Sequence, residues 1–346
     1  MYDKIGLVYR FKMRHLYILI IFIVSFVGLK AQNMPVHQQY SFDNMLLNPA
    51  FTGIGEGTSV KLIHRQQWLG FTGAPHTSTF IINGRTGSQP VGLGAFIYSD
   101  INGPNKTIGV QASFAYHLLL ASKRYDRTIL SFALSFHGIY HTLDQTGFSQ
   151  DFYDPIITYT QRSVFLPDFN AGMVFTMKGI MAGISADHLI PFYNKLYDIN
   201  VESIIPTYMN FHAGYVLDMP RNVKIKPLIN VRTDYKAHSQ LEIGGKFSYA
   251  YGKQIKSRFL RNPNEFWIGL NYRQTLDYLN SAPLCIQPAF GFKIGSFSFA
   301  YQFDLGLTTI QRYSYGTHQV MIGLKFISNK VVDIGRSGVP IFNEEF

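Results

Sequence analysis

The chain carries a single cysteine, Cys285. No internal disulfide can form from it, and no second thiolate exists to share a structural zinc. Cys285 is therefore expected to be a small buried or half-buried side chain. Tryptophan is limited to Trp68 and Trp267, both read as anchors at a membrane interface. A G-x-S-x-G nucleophile motif, a glycine-rich phosphate loop and a basic nucleic-acid helix are all missing, which removes the signatures of those classes. No catalytic set, cofactor or nucleic-acid partner is expected. Eleven histidines are present, yet their spacing suits no metal. On a strand His137 and His141 stand ~13 Å apart, and the neighbours Asp187-His188 and Thr317-His318 would face opposite sides.

Long apolar runs are missing after the first thirty residues, which excludes transmembrane helices there. Before that point, Lys12 and Arg14 precede an apolar run from Leu16 to Leu29, and Lys30-Ala31-Gln32 follows. This is a charged n-region, an h-region and a small residue at the cut. The run is shorter than the ~20 residues a spanning helix needs. Residues 1–31 are expected to be a signal peptide cleaved after Ala31, with 1–12 an upstream extension ahead of Met13. Export then leads to the periplasm, the outer membrane or the medium.

What is abundant is aromatic residues, 15% of the chain, with 22 Tyr, 29 Phe and 30 Gly. Period-two alternation dominates after residue 57. It is clearest where Leu130, Phe132, Leu134 and Phe136 alternate with Ser131, Ala133, Ser135 and His137, giving one greasy face and one small or polar face. Fourteen such segments are predicted, at 57–68, 76–84, 91–100, 107–120, 128–140, 168–178, 179–188, 207–217, 223–235, 239–250, 264–275, 283–294, 296–305 and 316–327. Strands of about ten residues in even number fit an all-β fold, a transmembrane antiparallel β-barrel of about 14 strands. A soluble sandwich is the alternative; strands so many, long and uniform favour the barrel. The domains read as a non-strand segment over 32–56, lying as plug, lid or flexible arm, the barrel over 57–327 and a tail over 328–346.

The longest connections, 141–167 and 189–206, fall on the outward side. One long connection, 251–263, falls on the periplasmic side and is basic. Of the net charge of +10, much sorts to the periplasmic turns, through Arg85, Lys226 and Arg221 among others. The outward loops count more acids, Asp100 and Asp168 among them. A basic inner face would dock an acidic periplasmic partner, with Lys253, Lys256, Arg258 and Arg261 as its contacts. Solvated turns alone are the simpler reading. The proline-fixed turn Asn48-Pro49-Ala50-Phe51 is a second candidate contact, through Asn48, Pro49 and Phe51, or else a staple for the amino-terminal segment.

Several stretches together resemble one bacterial family. They are Gln38-Gln39-Tyr40, Leu47-Asn48-Pro49-Ala50-Phe51-Thr52-Gly53, Arg65-Gln66-Gln67-Trp68, and Gly73-Ala74-Pro75. Further along come Gly92 to Asp100 with Gly103-Pro104, Trp267 to Arg273, Tyr301-Gln302-Phe303-Asp304 and Gly316-Thr317-His318-Gln319. Their order is similar to that of the PorP/SprF outer-membrane barrels of type IX secretion and gliding. The chain departs from the family's Y-S-Y-D at Gln302-Phe303 and from its G-S-H-E at Thr317 and Gln319. The resemblance implies a noncatalytic outer-membrane barrel. Its partners would be the C-terminal sorting domain of a secreted surface protein or adhesin, a periplasmic peptidoglycan-associated lipoprotein and membrane lipid. A diffusion channel or small-solute transporter is the alternative from another class.

Overall fold

The computed structural model describes residues 38–326, except 56, 87–88, 124–125, 149–156, 158, 191–195, 197–205, 235–237, 252–263 and 278–280. The expected signal peptide and tail lie outside the described residues. The strands are β1 (Thr58–Gln66), β2 (His76–Arg85), β3 (Val91–Asn102), β4 (Asn105–Lys123), β5 (Asp126–Asp144), β6 (Gln161–Met177) and β7 (Ile180–Asp187). The eighth, β8, runs over Tyr208–Tyr215 and resumes after Val216 as Leu217–Met219. Then follow β9 (Val223–Asp234), β10 (Ser239–Tyr251), β11 (Asn264–Thr275), β12 (Pro283–Ile294), β13 (Phe297–Gly306) and β14 (Thr317–Phe326).

Each strand pairs antiparallel with its sequence neighbours, and β14 pairs with β1 from Thr58↔Phe326 to Gln66↔His318. The sheet therefore closes on itself as a fourteen-stranded barrel with no free edge. Its faces are inverted relative to a soluble sandwich. Phe114, Leu134, Phe165 and Leu270 point outward at 51–57% exposure, while Asp168, Gln287 and Gln319 point inward at 0%. Apolar outside and polar inside is the membrane-barrel arrangement.

At one end the connections are short, as at residues 178–179, 220–222 and 295–296. At the other they include 67–75, 145–160, 188–207 and 307–316. Long loops face outward in such barrels, so the short-turn end is periplasmic. The hairpin between β5 and β6 is shorter than the predicted loop 141–167. Its strands continue to Asp144 and from Gln161, paired to the last residue, because Thr142 and Ser163 hydrogen-bond across the ladder at 3.0 Å and extend it.

Residues 38–55 form no strand and occupy the lumen. Two one-turn 3-10 helices, Asn44–Leu46 and Pro49–Phe51, carry Met45, Leu46, Ala50 and Phe51 at 2% exposure or less. These side chains meet the apolar residues that interrupt the polar inner face. Tyr40, Phe42, Met45, Leu46 and Leu47 cluster with Ile63, Ile81, Phe96 and Met321. Lower down, Ala50, Phe51 and Ile54 cluster with Val174 and Met181. At about 1.5–3 kcal/mol for each large apolar side chain buried, this packing is the main force seating the segment.

Candidate functional site

The lumen is where the sequence places its unusual residues, and its floor is the plug. Asp43 opens the first 3-10 turn by accepting from the Met45 amide at 2.9 Å. Asn48 opens the second by accepting from the Ala50 amide at 2.8 Å, and Pro49 at the first position has no amide to leave unpaired. Asn48 also reaches the wall. Its Nδ2 donates to the carbonyls of Met173 (3.2 Å) and Ile184 (3.0 Å). Lys61 Nζ meets Asp43 Oδ2 at 3.0 Å and donates to the Phe42 carbonyl at 3.0 Å.

Further contacts fix the plug at both heights. Near the outward end, Ser41 Oγ donates to Gln302 Oε1 at 2.7 Å and Thr79 Oγ1 to Gln39 Oε1 at 2.6 Å. Near the periplasmic end, His117 Nε2 bonds the Thr52 carbonyl at 2.9 Å, and Arg85 donates to the carbonyls of Gly53 and Ile54 at 3.2 and 3.3 Å. Two wall glycines are required by the fit. A Cβ on Gly92 would overlap the Thr52 carbonyl, and one on Gly172 would overlap Asn48 Oδ1.

Above the plug, motifs far apart in sequence converge on Asp304. Arg65 Nη2 lies 3.7 Å from Asp304 Oδ2, Gln302 Nε2 donates to Oδ1 at 2.8 Å, and Gln319 Nε2 approaches both oxygens at 3.4 Å. Gln302 and Gln319 face each other across β13 and β14. Two of the chain's departures from the family pattern, Gln302 and Gln319, therefore sit side by side around one carboxylate. A second pair, Arg273 with Glu242, is bonded through Nε and Nη2 at 2.9 Å each. Between the plug and this pair lies a cavity of about 20 Å³ lined by Tyr40, Asn210, Asn230, Arg232, Glu242 and Arg273, room for roughly one water.

Asn48, Pro49 and Phe51 are thus brought together and buried as plug anchors, with Phe51 packed 5.5 Å from the His212 ring. Lys253, Lys256, Arg258 and Arg261 lie outside the described residues. The strands they join, ending at Tyr251 and starting at Asn264, open toward the periplasmic end.

Several expectations are corrected. Asp100 and Asp168 are lumen residues at 8% and 0% exposure rather than outward-loop acids, and Lys226, at 6%, is a lumen residue rather than a turn cation, because their strands run further than predicted or turn those positions inward. Arg85 holds the plug. Trp267 faces inward against the apolar cluster with Lys246 Nζ 4.3 Å over its ring, since its neighbours Phe266 and Ile268 take the lipid face. Asp187 and His188 are both buried inside, because His188 has a φ of 59° and turns back after the strand ends. Cys285 is free and buried, as read from the sequence.

A family model described as type IX secretion system membrane protein PorP/SprF matches residues 29–324. A search of curated proteins gives no match. Among solved structures, the CymD monoaromatic hydrocarbon channel is similar at 12% identity and a TM-score of 0.45, over 88% of this chain and 99% of that one. A Pseudomonas aeruginosa FadL homologue is similar at 10% identity and a TM-score of 0.42, over 81% and 93%. The β domain of the Bordetella autotransporter BrkA gives 11% identity and a TM-score of 0.39, over 79% and 100%.

Proposed function

The chain belongs to the PorP/SprF family of type IX secretion system membrane proteins, and from that membership we propose that this outer-membrane barrel is a noncatalytic adaptor. It binds and anchors a secreted surface protein or adhesin through that protein's C-terminal sorting domain. It also links to periplasmic machinery, including a peptidoglycan-associated lipoprotein. The observation that carries this reading is the plug, which packs against the inner wall and hydrogen-bonds to it at both heights, so the work of the protein falls to its rims.

The outward rim supports a partner surface. Tyr313 and Tyr315 stand at 76% and 75% exposure beside Leu69 and Phe71, and the two loops are joined by the Leu69 and Tyr315 amides at 2.9 and 2.8 Å. Exposed aromatics on a braced loop are efficient contacts because they bury much area at little entropic cost. On the periplasmic side, Lys253, Lys256, Arg258 and Arg261 supply the charge for an acidic partner. Asn48, Pro49 and Phe51 serve the same reading by holding the plug.

The test is purification of the tagged protein from its native outer membrane in mild detergent, with identification of what accompanies it. A stoichiometric secreted protein whose isolated C-terminal domain rebinds the pure barrel supports the adaptor. A lone barrel with steady ion conductance in planar bilayers refutes it and gives the diffusion channel its place; the polar lumen wall suits that channel once the plug is out.

A further inference from the structure

His137 on β5, Asp168 on β6 and His188 just after β7 come together in the outward half of the lumen, well apart from the plug in sequence. Each offers one donor atom, and these atoms lie within 4.8 Å of one another. All three residues are buried at 2% exposure or less. We propose that they form a binding site for a divalent transition metal, zinc in the first instance, with the two imidazoles as ligands. Asp168 supplies the negative charge and holds the His188 ring.

The geometry around His188 carries the argument. Its Nδ1 lies against Asp168 Oδ2, the carboxylate contact that metal-ligating histidines use to fix ring orientation and tautomer. That leaves Nε2 with its lone pair, and Nε2 is buried with no hydrogen-bond partner among the described residues. A buried ring nitrogen without a partner is costly, and a metal ion relieves the cost. Among the described residues no lysine or arginine pairs with Asp168, whose Oδ1 accepts only from the Phe169 and Ile190 amides at 2.7 and 3.3 Å.

The site is also built. His188 is held at a positive φ of 59°, a conformation uncommon outside glycine. Asn170 Oδ1 accepts from its amide at 3.0 Å, and Thr207 Oγ1 donates to its carbonyl at 2.6 Å. The His137 ring sits 6.0 Å from that of His188 and packs beside the rings of Phe96 and Tyr98. Tetrahedral zinc with bonds of 2.0–2.1 Å needs donors ~3.4 Å apart, so loading draws the side chains closer together than they stand. Two imidazole ligands backed by a carboxylate suit zinc and its neighbours rather than calcium or magnesium. An ion here would tie β5, β6 and the long outward connection after β7 into one unit.

The experiment uses the full-length barrel purified without a polyhistidine tag, stripped with chelator, exposed to zinc or cobalt and desalted. We expect about one metal per chain by elemental analysis, and visible ligand-field bands for the cobalt form. His188→Gln should reduce retention to background, and Asp168→Asn should weaken it about 10–100-fold. His212→Gln, a buried lumen histidine outside the group, should retain the ion. Heat-modifiable gel migration verifies that each variant is folded; if His188→Gln is not, His137→Gln replaces it. A wild-type barrel that retains no metal overturns the proposal, as does retention unchanged by the His188 or His137 and Asp168 variants.

Discussion

Asn48→Ala is the most direct perturbation of the plug. The side chain makes three hydrogen bonds: one caps the Pro49–Phe51 turn and two reach the wall at Met173 and Ile184. Each wall bond is worth about 0.5–1.5 kcal/mol net and the cap about 1 kcal/mol. Their loss should shift the docking equilibrium of the plug by about 2–4 kcal/mol, which is ~30- to ~1000-fold in the undocked population. Native-state hydrogen exchange reads this population directly. The Phe51, Thr52 and Ile54 amides, bonded to Asn48, Pro49 and Phe51 carbonyls, should lose protection by that factor. Amides in the β4–β5 ladder should not change. Unchanged plug protection would refute the assignment of Asn48 as the lock, and an equal loss in the ladder would show that plug and barrel open only as one unit.

Breaking the buried Asp43–Lys61 pair with Lys61→Met should cost about 3–5 kcal/mol in denaturant unfolding, because the carboxylate is left without its cation. Asp43→Asn with Lys61→Met should recover most of it, since Asn still caps the turn; a single variant as stable as the parent would show the pair to be idle. Gly92→Val should leave a folded barrel with an unseated plug, seen as raised planar-bilayer conductance, and a quiet bilayer would contradict the fit described for Thr52. Neutralising Lys253, Lys256, Arg258 and Arg261 together should abolish co-purification of the periplasmic partner while membrane insertion stays normal.

The strands were legible because each one writes its two environments alternately. β11 and β12 begin and end at the predicted residues, Asn264–Thr275 and Pro283–Ile294. The hairpin above β5 was not, since its polar residues read equally as loop or as an extended ladder beyond the membrane. The plug left a weaker mark: Met45, Leu46, Leu47 and Phe51 are apolar without alternating, which signals burial but not where. Asp304 with Arg65, and His137 with His188, were invisible for a different reason. They meet only through barrel closure and through one backbone turn at His188, and neither is encoded in local spacing.

The plug touches both sides of the closing seam. Ser41 bonds Gln302 on β13, 261 residues away in sequence, while Phe42 and Asp43 hold Lys61 on β1. Pairing of β1 with β14 joins the two ends of the barrel, the kind of remote contact that slows folding because a long loop must close first. A segment that grips β1 and reaches β13 shortens that search. The plug is then an internal template for assembly as much as a seal: a chain without it would form its hairpins at the normal rate and become slow only at the final zipping of the seam.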